Sequence, residues 1–131
     1  MIGIQVITHG KMASGILDTV DMVLGNLENI AVNELKREQD IETFRREVLE
    51  TTNQLTSSDG VLIFVDMFGA SPYNTSFINS REVNTDNYKI IAGVNLPLLM
   101  EAISNRSSMD INQLYTHLLG MREQSIIGWE K

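Results

Sequence analysis

No cysteine occurs in the chain, and that absence removes disulfides, thiol nucleophiles and zinc–thiolate sites together. Basic residues are also scarce: ten Lys and Arg stand against seventeen Asp and Glu, a formal net charge of −7. A protein that grips a nucleic-acid backbone needs a basic patch, and the sequence offers none, so no nucleic-acid partner is expected. The densest positive cluster, Lys36, Arg37, Arg45 and Arg46, is interleaved with Glu34, Glu38, Glu42 and Glu47. It reads as a solvated helix face with i,i+4 pairing as a minor bonus. Also missing is any apolar stretch near the roughly eighteen residues of a membrane span, and no charged-then-apolar leader opens the chain. A soluble, cytoplasmic protein is the plain expectation. What is present is an ordinary globular composition, 43% hydrophobic and 21% charged over 131 residues. That is the size of one domain with a respectable core. Without a linker or an internal repeat, residues 1–131 are expected to form a single domain.

Residues 2–8 are a short β-branched run closed by His9-Gly10, the pattern of a buried strand. A helical period follows with Met12, Ile16, Val20, Val23 or Leu24, and Leu27 on one face, and Gly25-Asn26 offers its stop. Asn29 to Leu35 reads as a weaker second strand. Asp40 can cap a second helix with Ile41, Phe44, Val48 and Leu55 as its apolar face, and Ser57-Ser58-Asp59-Gly60 breaks it. Val61 to Val65 is the clearest strand, apolar without alternation, which requires cover on both faces, as in a parallel sheet. It runs into Asp66-Met67-Phe68-Gly69-Ala70-Ser71-Pro72, with Ser71 expected as N-cap and Pro72 at the first helical position. Tyr88 to Ala92 is a fourth strand, followed by Gly93-Val94-Asn95 and a helix entered near Pro97. Asp110 with Gln113 resembles a capping box for a last helix carrying Ile111, Leu114, Leu118 and Met121. Ser125 to Trp129 reads as a closing strand. Strand and helix alternate throughout, which predicts a doubly wound α/β fold with a mainly parallel sheet, order 2-1-3-4, and helices on both faces.

In such a sheet, functional groups collect beyond the carboxyl ends of the strands, where the connections change side. If the first and third strands are neighbours, His9 and Asp66 face each other there. A neutral imidazole is a competent nucleophile, and a carboxylate on one ring nitrogen fixes the tautomer and stabilises the charge that builds on attack. The amides of Gly69, Ala70 and Ser71 lie at a helix start, where free N–H groups and the helix dipole favour an anion. The Ser71 hydroxyl adds a donor. Phosphoryl transfer asks for in-line positioning and charge stabilisation, which these groups supply. Each residue also has a plain structural reading: Asp66 as a turn cap, and Ser71 and Pro72 as helix-start residues, with Asn74 and Asn95 similarly open to either reading. His117 reads as a surface or boundary residue, and Met67 and Phe68 as apolar residues at a site mouth. Ester hydrolysis by Ser71, His9 and Asp66 is disfavoured, since the Gly-x-Ser-x-Gly elbow is absent.

The three stretches Thr8-His9-Gly10, Asp66-Met-Phe-Gly-Ala-Ser-Pro-Tyr-Asn74 and Ala92-Gly-Val-Asn-Leu-Pro97 each close a predicted strand, in order. Together they closely resemble the mannose-family IIA proteins of the bacterial phosphoenolpyruvate-dependent sugar phosphotransferase system. The middle motif of that family usually reads Asp-x-(aromatic)-Gly-Gly-Ser-Pro-(aromatic)-Asn, so Ala70 and Phe68 are mild departures. The resemblance implies that His9 is phosphorylated, that Asp66 hydrogen-bonds its far nitrogen, and that Ser71 contacts the histidine or its phosphate. It implies the carrier protein HPr as donor, a histidine of the IIB component as acceptor, and no metal or organic cofactor. It further implies a homodimer with an exchanged C-terminal strand, for which Ser125 to Trp129 is the segment at hand, and association with IIC and IID membrane components through IIB. The sequence ends at Lys131 without a linker, so IIB is expected as a separate chain. A related branch relays phosphate to dihydroxyacetone kinases. Its histidine motif tends to continue with serine, and Gly10 here favours sugar transport. A regulatory module reporting phosphorylation state would use the same His9. The sugar is not legible.

Overall fold

The computed structural model describes all residues, 1–131. Four strands, β1 (Gly3–His9), β2 (Ile30–Leu35), β3 (Val61–Val65) and β4 (Tyr88–Ala92), form one sheet of order β2-β1-β3-β4. Every pairing is parallel, with Val6 opposite Val32 on one side and Phe64 on the other. Five helices connect and follow them: α1 (Met12–Leu24), α2 (Ile41–Leu55), α3 (Ser71–Asn79), α4 (Leu96–Asn105) and α5 (Ile111–Gly120). The expected architecture and strand order are therefore those observed.

Period-two alternation divides the core. Ile4, Val6, Leu62 and Phe64 point to one face and meet Ala13 and Val20 of α1, Leu98, Leu99 and Ala102 of α4, and Ile111, Leu114 and Leu118 of α5. Ile7, Val61, Ile63 and Val65 point to the other and meet Phe44, Val48 and Leu55 of α2. Cover on both faces is why β3 carries five apolar residues in succession, all buried. The one buried amide of β1, Gln5, is satisfied: it donates to Asn33 Oδ1 at 2.7 Å and to the Val48 carbonyl at 3.2 Å, and accepts from Thr52 Oγ1 at 2.6 Å. Arg106, 5% exposed, donates to the carbonyls of Ile2, Glu28 and Asn29. It ties the amino ends of β1 and β2 to the end of α4.

Several local expectations are corrected. Ala70, with extended backbone, is the N-cap of α3, and Ser71 is its first helical residue, so Pro72 takes the second position. The closing strand is absent from the single chain: Arg122–Ser125 is a 3₁₀ turn, and 126–131 carry no regular structure. The buried arc of α1 centres on Ala13 and Val20, leaving Met12, Val23 and Leu24 exposed, as is Ile41 on α2. The basic cluster is not one solvated helix face. Lys36 and Arg37 lie in the turn before α2. The Arg45 side chain is only 18% exposed and pairs with Glu42 and Glu82. The Asp110–Gln113 capping box forms as expected.

Candidate functional site

The chain leaves β1 toward β2 in one direction and reaches β3 on the other side, so the order reverses between β1 and β3. His9 is the last residue of β1 and the only exposed one in that strand. Asp66 directly follows β3. Because Ile7 pairs with Val65, the register brings Asp66 level with Thr8, next to His9 at the carboxyl edge of the sheet.

The carboxylate holds the histidine at two points. Asp66 Oδ2 accepts the His9 backbone N–H at 2.9 Å and lies 2.6 Å from Nδ1 of its ring. Oδ1 accepts the Met67 amide at 3.0 Å. A carboxylate oxygen at Nδ1 assigns the proton to that nitrogen and leaves Nε2, on the far side of the ring, with its lone pair. The His9 side chain is 48% exposed and that of Asp66 13%, so the imidazole is open to solvent while the carboxylate is sheltered. Burial pushes the Asp66 carboxyl up. The hydrogen bonds from the His9 amide and ring and from Met67 outweigh it and hold the group below the usual carboxylate range.

Neighbouring elements are fixed by the same motif residues. Thr8 Oγ1 accepts the Ala13 amide at 2.9 Å, anchoring the start of α1 beneath His9. Gly10 N–H donates to the Leu35 carbonyl at 2.9 Å, tying the end of β1 to that of β2. In the loop after Asp66, Gly69 has a φ of +77°, a turn that glycine accommodates without strain. Asn74 Nδ2 donates to the Gly69 carbonyl at 3.0 Å. The amides of Gly69, Ala70 and Ser71 have no backbone acceptor; for Ala70 and Ser71 that is the ordinary state of a helix start, and Gly69 lies in the loop just before it. Ser71 lies at this helix start; its hydroxyl makes no hydrogen bond to His9.

Asn95 is an N-cap, accepting the Leu98 amide at 3.0 Å, and it donates to Ser125 Oγ at 3.2 Å. His117 sits on α5, with Nε2 2.8 Å from Glu101 Oε1. Met67 and Phe68 are 57% and 75% exposed. Phe68 leans on Tyr73 with 4.6 Å between ring centroids, and Tyr73 stacks on Phe77 at 6.5 Å. Sequence reasoning did not foresee this aromatic row, although the one-turn spacing of Tyr73 and Phe77 on α3 was its signal. It also missed a cavity of about 340 Å³ lined by His9, Gly10, Leu35, Lys36 and Arg37.

Fold and site together define an open-sheet α/β protein with a carboxylate-paired histidine at the switch point. The family model described as PTS system fructose IIA component matches residues 3–119, and the chain belongs to that mannose-type EIIA family of the sugar phosphotransferase system. It is 34% identical over 105 residues to the PTS system mannose-specific EIIAB component of Escherichia coli (strain K12), covering 80% of this chain and 32% of that protein. The chain thus spans about a third of that relative. It is 29% identical over 127 residues to the PTS system fructose-specific EIIA component of Bacillus subtilis (strain 168), covering 95% and 84%. The crystal structure of phosphotransferase system component EIIA from Streptococcus agalactiae has the same fold, with a TM-score of 0.87 at 23% identity and coverage of 98% and 97%.

Proposed function

We propose that this protein is a phosphoryl carrier that takes a phosphoryl group from phospho-HPr onto His9 Nε2 and passes it to a histidine of a IIB component. The carrying observation is the 2.6 Å contact between His9 Nδ1 and Asp66 Oδ2 on a ring whose other edge is exposed. In the transfer, the Nε2 lone pair attacks phosphorus while the P–N bond to the donor imidazole breaks, and that ring departs neutral. Positive charge moves onto His9, whose Nδ1–H stays hydrogen-bonded to the Asp66 carboxylate. The pair therefore strengthens as the reaction proceeds, which is the direction catalysis requires. The amides of Gly69, Ala70 and Ser71, with the Ser71 hydroxyl, are the donors for the phosphoryl oxygens in this reading. The chemistry needs neither a metal nor an organic cofactor.

The partners follow from that role: HPr as donor, IIB as acceptor, and IIC and IID reached through IIB, with the work done in the cytoplasm. No helix is long and apolar enough to cross a membrane. Ile126, Ile127 and Trp129 are 79%, 85% and 86% exposed, and β4 ends the sheet with a free edge. Both features support a homodimer in which Ser125 to Trp129 joins the partner's sheet. Relatives are named for mannose, fructose and sorbose, and the sugar is a matter for the membrane components.

The test is phosphotransfer. Incubated with phosphoenolpyruvate, enzyme I and HPr, the protein gains one acid-labile, base-stable phosphate that peptide mapping places on His9. His9→Gln abolishes the label, and labelling that survives this substitution sinks the assignment.

A further inference from the structure

The chain as a whole repels anions, with a net charge of −7, yet its exposed cations are not spread evenly. Lys36 and Arg37 both line the cavity that His9 opens into. Neither is ion-paired, in contrast to Arg45 with its two glutamates. The acids nearest in sequence do not neutralise them. Glu34 is taken by the Ser14 amide and hydroxyl, at 3.2 and 2.8 Å. Glu38, in a left-handed conformation with φ +60°, makes no hydrogen bond to either.

The turn that carries them is held in shape. Gln39 Oε1 accepts the Lys36 amide at 3.1 Å, the Gln39 amide returns to the Lys36 carbonyl at 3.2 Å, and Gln39 Nε2 is anchored to Glu47 at 3.1 Å. The Gly10–Leu35 backbone bond joins this turn to the histidine loop at the cavity floor. Asp66 lies on the β3 side of His9, and the two cations on the β2 side. The imidazole thus stands between an orienting anion and an unpaired cation pair.

We infer that Lys36 and Arg37 form an anion site at the mouth of this cavity that takes the oxygens of a phosphate or phosphoryl group beside His9 Nε2. Its role in transfer rests on His9 being the acceptor; its existence as a phosphate site does not. A phosphoryl group carries close to two negative charges and several strong acceptor oxygens. Arg offers a planar fork for two of them and Lys a mobile point charge. On an acidic protein, such a local pair decides whether the incoming group meets attraction or repulsion at the last few ångströms.

The chain has two histidines, so the ring proton resonances give a direct readout with His117 as internal reference. Inorganic phosphate is titrated at constant pH and ionic strength, following both histidines by NMR. The expected result is a saturable shift at His9 and none at His117, with the apparent Kd raised about tenfold in the Lys36→Gln/Arg37→Gln double variant. The Arg81→Gln/Lys131→Gln variant removes the same charge away from the cavity and leaves that Kd unchanged. A His9 response that is absent, unchanged in the cavity variant, or weakened equally by the remote pair overturns the proposal. Because the titration involves no transfer, phosphate binding with no labelling of His9 would remove the carrier reading alone. Labelling by phosphoramidate, a donor without a protein surface, is expected to slow about tenfold in the cavity variant; an unchanged rate overturns the role in transfer.

Discussion

Asp66 reaches His9 twice with one oxygen, at the backbone amide and at ring Nδ1, 2.9 and 2.6 Å away. The double contact sets both where the histidine stands and which way its ring turns, and both hydrogen bonds favour the charged carboxylate. An asparagine keeps the size of Asp66 and can keep an oxygen at both His9 contacts, but it is uncharged and turns its NH₂ toward the Met67 amide, so it no longer stabilises the positive charge that builds on the ring. Asp66→Asn is therefore expected to slow phosphoryl acceptance by about a hundredfold or more. Rates of labelling from phospho-HPr measure this, and nitrogen chemical shifts of the His9 ring report the tautomer independently.

The same carboxyl links stability to pH. Its pKa in the folded protein lies below the ordinary value of 3.8, so its contribution to stability is fully present above that value. It is lost as pH falls through the lower, folded-state pKa. Urea unfolding of the unmodified protein and of Asp66→Asn across a pH series should show a stability difference that is constant near neutrality and shrinks below pH 3.8. A difference that grows toward acid would contradict the sign.

Arg106 works at the opposite end of the sheet. Arg106→Met keeps the stem and removes three hydrogen bonds to backbone carbonyls, at an expected cost of about 2–4 kcal/mol. Since the change is remote from His9, phosphate uptake by the folded fraction should be unaltered. Denaturation midpoints alongside labelling stoichiometry separate the two effects.

Two glycines with positive φ should respond differently to alanine. At Gly60, a Cβ would meet the Asn87 carbonyl oxygen at 2.4 Å, whereas at Gly69 nothing lies within 4 Å. Gly69→Ala is expected to cost about 1 kcal/mol, from its left-handed backbone alone. Gly60→Ala should cost about 3 kcal/mol or more, because backbone must move as well. Thermal unfolding of the two variants is the comparison.

Most of the fold was legible because its signals are physical and local. The unbroken apolar run of β3 demands a sheet covered on both faces, and each strand end carries residues that no core would need. His9 and Asp66 could be paired once the first and third strands were taken as neighbours. Features that depend on shape or on distant sequence escaped. The buried face of α1 turns on Ala13, whose small side chain hardly registers in an apolar pattern, so Met12 and Leu24 were assigned to a face they do not share. Cap chemistry favours serine, yet Ala70 holds the N-cap of α3 and Ser71 follows it. Lys36 and Arg37 looked like part of a charged helix because Glu34, Glu38 and Glu42 run through them. Only the Asp40 cap, which starts α2 after them, and the pairing of β2 with β1 put them beside His9.

Arg106 also bears on how the protein is made. The side chain that closes the amino end of β1 is 104 residues downstream, so β1 is synthesised well before its closing partner. A nascent chain halted before α4 has β1 and β2 with their leading carbonyls still open to water, and lacks the α4 and α5 residues that cover one face of the sheet. Folding of this domain must therefore wait until α4 and α5 have been synthesised, and truncations that remove Arg106 should be cleared by proteases rather than accumulate as shorter folded forms.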